Sequence, residues 1–161
     1  MKAKICSNLV ITLAVILFVS CDKSSETNDN AVFNFQRVGG FIGLNEKLTI
    51  DANTTCYSIN YLEYIDGAWK PESFQTTIPT SDEQWKNLTG TFNLETFKKI
   101  KDGSCRACLD GEDETFSFTK AAKTYSIYNG DADENFQKMQ EFFDIILEQI
   151  KSFEIMAGFR E

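Results

Sequence analysis

The chain has 161 residues, 24 acidic against 16 basic, a formal net charge of −8, and no histidine. Without histidine there is no Ser-His-Asp or Cys-His nucleophile, no imidazole base, no His-Glu-x-x-His zinc centre and no c-type haem attachment. The acidity argues against nucleic acid and anionic headgroups as partners and towards neutral, basic or cationic ones, while 14 phenylalanines support a packed core rather than disorder.

Lys2 and Lys4 open the chain, and an apolar run from Leu9 to Val19 follows, ending in Ser20-Cys21. Polarity returns at once from Asp22 to Asn30. The alternative, a membrane-spanning helix, needs about twenty apolar residues; the stretch from Ile5 to Val19 supplies about fifteen, interrupted by Ser7, Asn8 and Thr12. A basic start, a short apolar stretch and a small residue before the cut make a cleaved secretory signal. The segment resembles a bacterial lipoprotein signal, with Phe18 where the usual lipobox has leucine and Leu17 one place earlier. The resemblance implies a signal peptide over residues 1–20, acylation of Cys21 as the first mature residue, and a flexible tether over 21–30. Several acyl chains hold a protein firmly, so the implied location is the cell envelope, membrane-anchored, with the outer membrane the expected surface.

Residues 31–161 fit one domain of ordinary size. Phe33 and Phe35 alternate with Asn34 and Gln36, the period of a half-buried strand. Gly39-Gly40-Phe41-Ile42-Gly43 interrupts it, and Leu44, Leu48 and Ile50 lie in a second strand that ends near Asp51. Cys56–Ile65 predicts a third strand, rich in aromatic and branched residues. Asp66-Gly67 is a hairpin signal, and a fourth strand takes in Trp69 and Phe74 to Ile78. Ser81 with Gln84 resembles a capping box, opening a helix with Trp85 and Leu88 on one face. A second short helix is expected over Asn93 to Lys101, closed by Asp102-Gly103. Thr115–Thr119 and Lys123–Tyr128 predict two more strands facing each other across Lys120-Ala121-Ala122. A last amphipathic helix of about twenty residues carries Phe136, Met139, Phe143, Ile146, Leu147, Ile150 and Phe153 on one face, widened by Phe142 and Ile145. The order predicts an α+β domain, an antiparallel sheet with helices packed on one face.

Cys105-Arg106-Ala107-Cys108 is the most conspicuous motif. A redox pair belongs at a helix N-terminus, whereas this pair follows a helix stop and precedes the turn residues Leu109-Asp110-Gly111. A zinc site lacks its fourth ligand, since Cys56 is the one remaining cysteine of the domain. An oxidising compartment makes a structural disulfide the expected state. Cys56, Cys105 and Cys108 allow three pairings, each leaving one thiol over. The carboxylates from Asp110 to Glu114 and from Asp131 to Asn135 are expected as a solvated turn and a helix cap. The second cluster fails as a calcium loop because Phe136 and Phe142 stand where glycine and the bidentate glutamate belong. Paired carboxylates for glycoside hydrolysis come with no sign of a sugar cleft. No catalytic constellation, metal site or cofactor motif emerges, and the domain is expected to be non-enzymatic.

The loop Gly39, Gly40, Phe41, Ile42, Gly43 admits two readings. It runs from strand to strand, which argues against a phosphate loop. Either Phe41 and Ile42 fold inward and the glycines make a bulge, or one of the pair is held out to fill a partner's pocket. Arg37 on a strand, then Gly39-Gly40-Phe41-Ile42-Gly43, then the run to Ile50, with a late strand Thr124 to Tyr128 before a C-terminal helix, resembles the emfourin family of protealysin inhibitors. The resemblance implies a protease-binding loop at residues 39–43 and a thermolysin-type metalloprotease as partner, its pocket for a bulky apolar residue taking Phe41 or Ile42. The chain differs from that family in its lipoprotein-like signal, in Cys105/Cys108, and in extra residues between strands. The alternative is an accessory or structural lipoprotein with no protease target.

Overall fold

The computed structural model describes residues 31–159. The signal peptide, Cys21 and the tether lie outside the described residues. Six strands, β1 (Val32–Gly39), β2 (Leu44–Ile50), β3 (Thr54–Ile65), β4 (Ala68–Pro79), β5 (Glu112–Lys120) and β6 (Lys123–Tyr128), form one sheet in the order β4-β3-β2-β1-β5-β6. Every pairing is antiparallel. The helices α1 (Asp82–Thr91), α2 (Leu94–Phe97), α3 (Glu134–Gln137) and α4 (Gln140–Met156) complete an α+β fold.

Period-two alternation decides which face is covered. Phe33 and Phe35 of β1, Leu48 and Ile50 of β2, Tyr57 and Ile59 of β3, and Phe116 and Phe118 of β5 all point to the helices and are buried. Phe142, Phe143, Ile146, Ile150 and Phe153 of α4 meet them. Burying a side chain of this size is worth about 1.5–3 kcal/mol relative to leaving it exposed. Phe33 sits at the centre of an aromatic cluster, within 5.0–5.7 Å of the rings of Trp85, Phe92, Phe118 and Phe142. The edge strand β4 carries Pro71 and Pro79, which lack the donor that another chain's strand would need.

Three expectations need correction. The long C-terminal amphipathic helix is present as the 17-residue α4, but it begins later than expected: Phe136 lies on the separate α3, which stops at Gln137, and Lys138 and Met139 break the run between them. The kink lets Phe136 stack face to face on Phe143 at 3.7 Å, a packing that one continuous helix does not give to residues seven apart. The helix expected over Asn93 to Lys101 is α2 alone, four residues capped by the Asn93 side chain. The Ser81 box is half formed: Ser81 accepts from the Gln84 N–H at 3.1 Å, but the Gln84 side chain reaches Gln149 and Thr55 instead of turning back.

Candidate binding loop

Gly39 to Gly43 join β1 to β2 at one end of the sheet. The ladder keeps register up to Gly39 opposite Leu44, so the glycines form a turn and no bulge. Gly39, Gly40 and Gly43 have φ of +113°, +71° and +61°, conformations that a Cβ strains. The turn closes by a hydrogen bond from the Gly43 N–H to the Gly40 carbonyl at 3.2 Å. It is held on both flanks, since the Gly40 N–H donates to the Gly111 carbonyl at 2.9 Å and the Leu62 N–H to the Ile42 carbonyl at 2.7 Å.

The two large residues of the turn part company. Ile42 is half-buried and packs against the core. Phe41 points outward, 79 % exposed. Its ring makes an edge contact with Trp69 at 5.4 Å, and Trp69 in turn meets Tyr64 at 5.2 Å. Tyr64 and Trp69 are cross-strand partners at the tip of the β3–β4 hairpin and are themselves exposed. The loop therefore carries an aromatic ring that the fold supports from the side and leaves open on top.

Beneath the turn lies a buried charge network. Arg37 follows Phe33 and Phe35 in the inward alternation of β1, so its guanidinium enters the interlayer space. Its Nη1 contacts Glu46 at 2.9 Å and Glu154 at 3.1 Å, and its Nε contacts Glu114 at 3.2 Å. Glu46 and Glu154 are almost wholly buried. The Tyr57 hydroxyl donates to Glu46 at 2.5 Å. Burial pushes the Tyr57 phenol up and the Glu46 and Glu154 carboxylates add to it, so the proton stays on oxygen and the bond keeps its donor. Burial alone would lower Arg37, but Glu46, Glu114 and Glu154 outweigh it and hold the guanidinium above its usual value. The network ties β1, β2, β3, β5 and α4 together four residues before Phe41.

On the other side of the sheet, Cys105 and Cys108 form a disulfide in the loop that crosses the end of β1 and β5. A Cβ on Gly39 would come within 2.8 Å of the Ala107 Cβ, so glycine is needed for this loop to lie down. Asp113 is its anchor. The carboxylate accepts from the backbone N–H of Arg106 at 2.6 Å, from Ala107 at 3.2 Å, from the Asn129 amide at 2.7 Å and from the Tyr128 hydroxyl. The Tyr128 bond first, then those from Asn129, Arg106 and Ala107, outweigh desolvation and hold Asp113 well below the usual carboxylate range. Arg106 also pairs with Asp131. Cys56, on β3, is a free thiol.

No family model matches the chain, and no curated protein matches it. The assignment of residues therefore rests on the geometry. Gly39, Gly40, Phe41, Ile42 and Gly43 share one ordered turn, and the Cys105–Cys108 loop, expected only as a staple, buttresses it through Gly40 and Gly111. The carboxylates expected as a solvated turn need correction: Asp113 is buried as the loop's anchor, and Glu114 pairs with Arg37. The cap expected at Asp133 forms, accepting from the Asn135 N–H at 2.8 Å. The sequence reading missed Glu46, Glu154, Tyr57 and Trp69. A signal for Glu46 lay in the alternation Leu44-x-Glu46-x-Leu48-x-Ile50, which places a carboxylate in an inward slot that demands a partner. Among the described residues no group of three or more Cys, Asp and Glu side chains converges to hold a metal ion, and no helix is long and apolar enough to cross a membrane.

Proposed function

We propose that this is a lipid-anchored envelope protein whose domain binds a thermolysin-type metalloprotease without chemistry of its own, inserting Phe41 into the enzyme's pocket for a bulky apolar side chain. The observation that carries the reading is a phenylalanine 79 % exposed on a turn fixed by hydrogen bonds on both flanks. A large apolar residue held bare on an ordered support enters a cleft with little further loss of entropy, and a central aromatic anchor is worth about 2 kcal/mol or more. Ile42 belongs to the support and Phe41 is the anchor. The resemblance of Gly39–Gly43 and its flanking strands to the emfourins supplies the target class, and the lipoprotein-like signal supplies anchoring through Cys21.

A second reading, an accessory lipoprotein with no protease target, draws on the glycines: the turn and the close approach of Ala107 account for them without any partner. Titration of the full chain in detergent against a thermolysin-type protease separates the two. Inhibition at or below micromolar concentration is expected, and none at micromolar concentration contradicts the protease reading. Incorporation of palmitate into the wild type, lost in Cys21→Ser, is the expected result for the anchor.

A further inference from the structure

The face of the sheet turned away from the helices is almost free of charge. Strand register places Lys47 and Asp113 as the charged side chains on it among the described strands, and Asp113 is covered by the disulfide loop. The acidic side chains of the strands lie on the helix side or at the strand ends. In a chain with net charge −8 this is an uneven distribution. The outward positions at the middle of the central strands are instead mostly amides and hydroxyls, with Val32 and Val38 towards the ends of β1, and β3, β4 and β6 continue them with serine, threonine, asparagine and glutamine as far as Leu62 and Pro71. Across β2, β1 and β5 these short side chains leave a shallow cleft of about 240 Å³, lined by Asn34, Gln36, Lys47, Thr49, Thr115 and Ser117. At the far end of the same face stand Tyr64 and Trp69, 61 % and 47 % exposed.

We propose that this cleft binds a sugar ring of a neutral polysaccharide. Hydroxyls and amides both donate and accept, as sugar hydroxyls do, so one ring can satisfy several of them at once. The Thr49 hydroxyl is engaged with Asn34 at 2.9 Å, while Gln36 reaches Asn45 only at 3.4 Å, which leaves the rest of the cleft's polar groups to solvent or ligand. Other ligand classes fit less well. A nucleic acid or polyanion needs a basic patch, and Lys47 is one ammonium. A peptide strand pairs with a sheet edge, not a face. A protein interface needs an apolar centre, and the cleft has none; the apolar side chains of this face, Leu62 and Pro71 beside Tyr64 and Trp69, are gathered at the hairpin end. Each polar contact to a sugar is weak, and a polar face several strands wide suits a polymer that repeats the contact along its length. The exposed aromatic pair offers apolar ring faces to the next sugar units.

Native electrophoresis of the full chain through gels holding dextran, soluble starch, galactomannan or xylan tests the proposal, in a polyoxyethylene detergent that carries no sugar. Retardation in at least one gel is expected, with affinity at least tenfold weaker in Asn34→Ala/Thr115→Val and reduced in the milder Ser117→Ala. The melting temperature should fall only slightly in Asn34→Ala/Thr115→Val, which gives up the Thr49–Asn34 hydrogen bond, and hold in Ser117→Ala, and protease inhibition through Phe41 should be untouched. Retention should persist at about 0.5 M salt, where exposed charge interactions are screened. No retardation in any gel, retardation unchanged in both cleft variants, or retention abolished by salt overturns the proposal.

Discussion

Arg37 and Phe41 are four residues apart and live in opposite environments. Arg37 is 8 % exposed, with carboxylates from two neighbouring strands and the last helix around it. Phe41 is 79 % exposed, supported by one aromatic neighbour. Chemical preference is inverted at both places, with a cation inside and an apolar ring outside. A buried charged group is costly unless paired and hydrogen-bonded, and it fixes the relative placement of the elements that supply its partners. An exposed ring costs the fold little and is available to a partner. The contrast is between a base tied together by paired charges and an exposed ring held at its edge.

The base should break most severely. Arg37→Met removes the cation from Glu46 and Glu154 and is expected to cost about 3–5 kcal/mol, because uncompensated buried charge remains. Urea unfolding measures it. Adding Glu46→Gln and Glu154→Gln to Arg37→Met should recover part of the loss, and no recovery would mean that the arginine acts through packing alone. The boundary between the two regions lies at Ile42. Ile42→Asp presses a carboxylate against the core and is expected to cost about 2 kcal/mol, read as a lowered melting temperature.

Smaller effects belong to the buttress. Reduction of Cys105–Cys108 should cost about 2 kcal/mol or less, since loop entropy is small for a ring of four residues. It should also speed exchange of the Gly40 amide, whose acceptor Gly111 sits in the same loop. The non-reduced domain should show Cys56 as its free thiol. Acid acts at the same place. Asp113 has its pKa depressed in the folded state, so its contribution is fully present above the unfolded carboxylate value of about 4 and is lost as pH falls below that toward the lower folded value. Melting temperature followed between about pH 7 and pH 2 should fall less steeply in that window for Asp113→Asn than for the wild type.

The fold was legible where alternation and helical spacing carried it. Phe33/Phe35, Leu44/Leu48/Ile50 and Phe143/Ile146/Ile150/Phe153 each declare a buried face, and together they dictate helices on one side of a sheet. The break at Lys138–Met139 was not legible, because Phe136 and Phe143 share a helical face equally well whether or not the helix is continuous. The candidate loop could be located from its glycines, but two apolar residues in succession do not say which one faces in. That is decided by the Leu62 N–H bond to the Ile42 carbonyl and by the Trp69 ring, both supplied from a hairpin more than fifteen residues away. The charge network was hidden for a similar reason. Arg37, Glu46 and Glu154 come from three elements, and their pairing exists only once β1, β2 and α4 are packed.

The central claim, that Phe41 serves binding and not folding, is tested most directly by Phe41→Asp measured twice, by thermal melting and by titration against a thermolysin-type protease. Unchanged melting, within about 0.5 kcal/mol as for other surface changes, is expected together with at least a thirtyfold loss of affinity, the equivalent of about 2 kcal/mol. A sharply lowered melting temperature, or binding equal to that of the wild type, would contradict the account.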